Sequence, residues 1–241
     1  MANPILNQNF TEQERVLHGE PMTVNGTLQL TAFLGIIVFL SAAYVWSRFG
    51  LGYMDQVQML TTVGAILGFV LALIISFTRT KFLIPVYAAA EGLMLGGISA
   101  IAESAFSGIV LQAVAGTFAA FFSMLILYRL GIIRATEKFR SVVFISTLSV
   151  FVVYLINFIG SFFGYSVPGL MDSSMLGICI SLLVIVIAAL NLILDFDFIE
   201  QGVRNFLPKD AEWFGAFGLM VTLVWLYFEI LRLLMKFQSR D

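Results

Sequence analysis

Only one of the 241 residues is a histidine, and only one is a cysteine. His18 lies in a polar N-terminal stretch. Zinc clusters, Ser–His–Asp triads and histidine-dependent intramembrane proteases therefore lack a base or ligand inside the apolar body. Cys179 has no second thiol to pair with, so no intrachain disulfide forms; in an apolar run it reads as a small buried hydrophobe. Charge is scarce as well, at 12%, where a soluble domain carries about 25%. No basic patch exists beyond short loops, which excludes a nucleic-acid partner. The expectation is a protein that is not an enzyme and has no resident cofactor.

What fills the chain is apolar. Hydrophobic residues make up 60% and mean hydropathy is +0.97, with 24 Phe, 10 Met and 20 Gly. Seven runs are long enough to cross the ~30 Å of a bilayer core as helix. They are Leu28–Trp46, Met59–Phe77, Phe82–Ala102, Gly108–Tyr128, Val142–Phe163, Ser174–Leu194 (continuing toward Gly202) and Trp213–Met235. Alternation of apolar and polar residues is absent, which leaves helices, not a barrel. The fold class is thus an all-α polytopic membrane protein with seven transmembrane helices. Residues 1–27 read as a polar tail without the basic start and cleavage site of a signal peptide. Residues 28–241 read as one transmembrane domain.

Orientation follows from the basic residues. Arg15, Arg79, Lys81, Arg129, Arg134, Lys138, Arg140, Arg204 and Lys209 fall on the N-terminal side. The positive-inside rule then predicts a cytoplasmic N-terminus. Glycine pairs at i,i+4, namely Gly64/Gly68, Gly92/Gly96 and Gly160/Gly164, signal close helix packing inside the bundle. A monomer is expected.

Three acids stand where hydrocarbon makes charge costly, by about 2.5–3.5 kcal/mol on insertion scales. Glu229 lies in the last run, Glu91 in the third, and Asp195 closes the sixth. Asn191 and Asp195 are i,i+4 and so share a face. Asp197, about 200° further round, points elsewhere, and with Glu200 it lies near enough to the helix end to reach water. Glu229 has Arg232 at i+3 as a local partner. Glu91 sits in the small-residue run Ala88-Ala-Ala-Glu-Gly. Asn157 is expected to bond between helices. Lys236, at the end of the last helix, is placed too shallow for a retinal-type lysine.

Several segments, taken together, resemble the Bax inhibitor-1 (transmembrane Bax inhibitor motif) family. They are Glu91-Gly92 in the third span, Leu194-Asp195-Phe-Asp-Phe-Ile199 closing the sixth, and Leu226-Tyr-Phe-Glu229 in the seventh. Met1-Ala-Asn-Pro-Ile-Leu-Asn7 and Met22-Thr-Val-Asn-Gly-Thr27 are similar to its bacterial branch. The resemblance implies six helices around a central seventh. It also implies a pH-sensitive calcium leak across the bacterial plasma (inner) membrane, gated by a carboxylate latch. Carried onto this sequence, the latch is Asp195 with Glu229, engaged by Arg79. The seventh-helix position, aspartate in the family pattern, is Glu229 here.

At ~1.5 Å per residue, Asp195 lies ~12 Å from the N-terminal-side end of its helix, Glu229 ~24 Å and Glu91 ~15 Å. Depth alone thus favours Glu91 over Glu229 as the partner of Asp195. Two carboxylates within reach titrate as a unit. When ionised they repel or take a cation, with Asp195 and Glu229 as weak, transient calcium ligands helped by Glu91 and Asn191. The implied partners are lipid, and calcium or protons. The alternative of another class is a regulatory subunit of a membrane complex, such as a membrane-anchored ATP-dependent protease, with the N-terminal tail as its contact.

Overall fold

The computed structural model describes residues 20–170 and 172–240. Arg15, His18 and the tail segment expected to contact a membrane complex fall outside them. Among the described residues the chain forms seven long helices: α1 Val24–Gly50, α2 Met54–Thr78, α3 Ile84–Ala105, α4 Ile109–Arg129, α5 Glu137–Ser161, α6 Met175–Arg204 and α7 Ala211–Gln238. All seven are long and apolar enough to span a membrane. A 3-10 turn, Lys81–Leu83, leads into α3, and Pro85 stands in its first turn, where no amide partner is lost.

Three helices, α1, α2 and α7, start before and end after their apolar runs, because hydropathy reads only the hydrocarbon slab while capping fixes the ends. Thr23 accepts from the Gly26 amide and starts α1 four residues ahead of Leu28. Thr136 caps α5 and Ser174 caps α6 in the same way. Glu103 accepts from the amides of Gly108 (2.6 Å) and Val110 (3.1 Å), closing the start of α4. In the opposite sense, α5 ends at Ser161, two residues short of the expected Phe163.

The last helix is central, packing against α1, α3, α4 and α6. The second interior helix is α3, which packs on α1, α2, α4 and α7. Peripheral α2 leans on α3 and α1, and peripheral α5 leans on α6. The core divides accordingly. One cluster, with Leu34, Tyr87, Met220 and Leu231, joins α1, α3 and α7. The other, with Met22, Leu192, Phe196 and Leu226, joins α6, α7 and the segment before α1.

Glycine sets the spacing in the first half. A Cβ on Gly92 would strike the Val38 carbonyl, and one on Gly96 would lie 2.6 Å from the Ala42 carbonyl. A Cβ on Gly64 would lie 2.6 Å from the Ala90 carbonyl. Two of the three predicted pairs therefore do pack helices. The third does not: Gly164 has φ +73° and belongs to the turn after α5.

Two further expectations are corrected. Cys179 is exposed on the outer face of α6, not buried. Asn157 accepts from the Val167 amide at 2.9 Å, so it ties the α5–α6 loop to α5 and, among the described residues, joins no second helix. Lys236 lies near the end of α7, as expected, and is buried there.

Ahead of α1, residues 20–23 pair with the α6–α7 loop. The Met22 amide donates to the Leu207 carbonyl (2.8 Å), the Lys209 amide donates to the Glu20 carbonyl (3.0 Å), and the side chains of Lys209 and Glu20 form an ion pair. Buried Glu212 accepts from the Thr23 amide and hydroxyl, both at 2.9 Å, at the positive end of α1.

Candidate functional site: a buried polar stripe on the last helix

Thr222, Glu229 and Lys236 recur at seven-residue steps, so they form one stripe along α7. All three are buried, at 7%, 1% and 4% exposure. Polar groups in such places need partners, and each draws them from a different element. The stripe covers ~21 Å along the helix axis at 1.5 Å per residue.

At the level nearest the N-terminal side, the Thr222 hydroxyl donates to Asp195 of α6 at 2.6 Å. Gly218, one turn earlier on α7, leaves room for that carboxylate: a Cβ there would lie 3.2 Å from its Oδ1. At the middle level, the Tyr154 hydroxyl of α5 reaches the two Glu229 oxygens at 3.0 and 3.1 Å. The Arg232 guanidinium lies 3.5 Å from Glu229 and donates to the Tyr154 oxygen at 2.5 Å. It also lies over the Tyr154 and Phe228 rings, 4.8 Å from each centroid. At the far level, the Lys236 ammonium donates to the carbonyls of Leu170 (2.8 Å) and Gly177 (3.0 Å) and to the Ser181 hydroxyl (3.0 Å).

The predicted Asp195–Glu229 contact is not formed. Asp195 bonds Thr222, and Glu229 lies two turns, ~10.5 Å, further along α7. The depth mismatch expected from the sequence is real, but Glu91 does not fill the gap. Its carboxylate turns toward α2, where a Cβ on Gly68 would lie 2.7 Å from Oε1, and Oε2 is buried with no hydrogen-bond partner among the described residues. Arg79 does not engage the acids either. It is exposed, ends α2 in the left-handed conformation at φ +51°, and forms no ion pair among the described residues.

Asn191 and Asp195 share a helix face but diverge in partner. Asn191 donates to the Thr147 hydroxyl of α5 at 2.8 Å and to the Ile187 carbonyl. Asp197 and Glu200 are more than a solvated helix end. Half-buried Asp197 accepts from Arg140 of α5 at 2.5 Å and from Gln201 at 2.8 Å. Glu200 accepts from the Tyr128 hydroxyl of α4 and pairs with Arg204.

No group of three or more His, Cys, Asp or Glu side chains among the described residues is arranged to hold a metal ion. Asp195 and Glu229 are two separate single-carboxylate stations, and neither is a cage.

Sequence reasoning started from charge and so found Asp195 and Glu229. It missed Thr222, Tyr154, Ser181 and the burial of Lys236. The seven-residue spacing of Thr222, Glu229 and Lys236 was the available signal.

The family model described as Bax inhibitor 1 like matches residues 3–239, nearly the whole chain. No curated protein matches the sequence.

Proposed function

The chain belongs to the Bax inhibitor-1-like family, and from that premise we propose that it is a pH-sensitive calcium (cation) leak of a bacterial plasma membrane, with its N-terminus in the cytoplasm. The observation that carries the reading is the α7 stripe, which strings two carboxylate stations, Asp195 and Glu229, along one buried line of the bundle. Buried ionisable groups inside a bundle are costly and serve ion or proton paths.

The arrangement has the marks of a closed leak. At Glu229 the place of a passing cation is held by the chain's own Arg232. At the far level Lys236 fills an oxygen-lined site of two carbonyls and a hydroxyl. At Asp195 the Thr222 hydroxyl takes the carboxylate. A cation moving along the stripe must replace each of these partners in turn, so occupancy is weak and brief, as a leak requires. Protonation enters through the carboxylates. A neutral Asp195 or Glu229 offers a cation no charge, whereas an ionised one does, so flux rises with pH. The gate differs from a two-carboxylate latch, because the acids sit on separate levels and act in series.

The test is calcium flux into proteoliposomes over a pH series. Asp195→Asn and Glu229→Gln should each flatten the pH response. Flux with an unchanged pH profile in both variants would sink the proposal.

A further inference from the structure

A crevice of about 650 Å³ opens on the N-terminal side of the bundle, between α1 and α4. These two helices flank it without extended packing on each other, while α6 and α7 form its floor. Its walls differ by depth. Toward the membrane interior they are apolar, with Leu28, Leu125 and Leu219. At the helix ends the rim is cationic, with Arg129, Arg134 and Arg204 under the short α4–α5 loop.

The rim's charges do not cancel internally. Asp197 is taken by Arg140 and Glu200 by Arg204. Arg129 and Arg134 form no ion pair among the described residues; Arg134 donates only to the Gly131 carbonyl, at 3.3 Å. Two exposed guanidiniums therefore stand above an apolar slot, level with the helix ends where headgroups lie.

We propose that this crevice is a binding site for an anionic phospholipid of the leaflet on the N-terminal side. Arg129 and Arg134 take the phosphate, and an acyl chain lies along Leu28 and Leu125. Charge complementarity selects this occupant. A guanidinium fork matches phosphate oxygens, and an apolar slot beneath it fits a ligand with a hydrocarbon tail. A soluble phosphate would use the rim and leave the slot unfilled.

The experiment is native mass spectrometry of the full chain in detergent with equal amounts of phosphatidylglycerol and phosphatidylcholine. The expected result is preferential retention of phosphatidylglycerol, weakened roughly fivefold for each of Arg129→Gln and Arg134→Gln. Lys138→Gln is the control, because Lys138 is exposed on the same side but does not line the crevice. It should leave the preference unchanged. Three results would overturn the proposal: equal retention of the two lipids, a loss in Lys138→Gln as large as in the arginine variants, or displacement of the lipid by millimolar inorganic phosphate.

Discussion

Glu91 on α3 and Glu229 on α7 are both buried, yet opposite means hold them in place. Around Glu229 one hydroxyl, that of Tyr154, reaches both oxygens, and a guanidinium stands beside them. Around Glu91 the carboxylate lies against Gly68 of α2, and one oxygen has no hydrogen-bond partner among the described residues. The contrast extends to the two halves of the bundle. The α1–α2–α3 half is joined by backbone approaching backbone at Gly64, Gly92 and Gly96. The α5–α6–α7 half is joined by side-chain hydrogen bonds at Thr222, Glu229 and Lys236. Glycine contacts have one tight geometry and do not exchange partners. Hydrogen-bonded contacts can trade a partner for an ion or a proton, which backbone packing cannot do.

The contrast can be broken most strongly at Glu229. Glu229→Ala strands Arg232 and Tyr154 in the interior, and loss of one member of a buried pair costs about 3–5 kcal/mol. Thermal unfolding in detergent should show a large drop in Tm. A drop no bigger than for a surface variant would mean that the Glu229 network does not hold α5 to α7. Next in size is Gly92→Val. Its side chain would strike the Val38 backbone, and overpacking of this kind costs about 1–3 kcal/mol. Because that contact joins α1 to α3, stability should fall while the pH profile of the proposed calcium leak keeps its shape. A changed pH profile in Gly92→Val would break the division between the halves.

Glu91→Gln sharpens the same comparison from the other side. It removes a carboxylate that no charged partner faces, so it strands nothing, and the expected change in stability is within about 1 kcal/mol. The reading to take is the ratio of Tm shifts for Glu91→Gln and Glu229→Gln. A larger shift at Glu91 would show that its carboxylate has an essential role the packing does not reveal.

These contrasts were unevenly legible beforehand. Seven helices followed from run length, and two of the three glycine pairs followed from their spacing, because both are local properties. The acids were visible because charge is rare in such a chain. Their partners were not, because Asp195–Thr222, Tyr154–Glu229 and Arg140–Asp197 join residues 27, 75 and 57 positions apart. Thr222 is also neutral, and a search led by charge passes over it. Depth counting did separate Asp195 from Glu229. It then misdirected attention to Glu91, since depth says nothing about azimuth, and Glu91 turns toward α2. The helix ends were misjudged for a related reason. Capping residues such as Thr23 and Thr136 lie in the polar margin that hydropathy discards.

The smallest expected effect lies at the far end of the stripe, where Asp172 organises the start of α6. Its carboxylate accepts from the Ser174 hydroxyl at 2.5 Å and from the Gly169 amide at 2.9 Å. The Ser174 hydroxyl foremost, and then the Gly169 amide, hold its pKa below the usual aspartate value. A folded-state pKa below the unfolded one gives stability that is present above the unfolded value and lost as pH falls through the folded one. Asp172→Asn should therefore lower Tm slightly at neutral pH, with the gap between wild type and variant closing below about pH 3.9. The Lys236 site depends on this turn, because two of its three acceptors, the Leu170 and Gly177 carbonyls, flank Asp172. If the far level is a station of the proposed calcium leak, Asp172→Asn should also loosen it and raise basal calcium flux. A gap in Tm that persists at low pH would show that Asp172 acts through its shape and not through its charge.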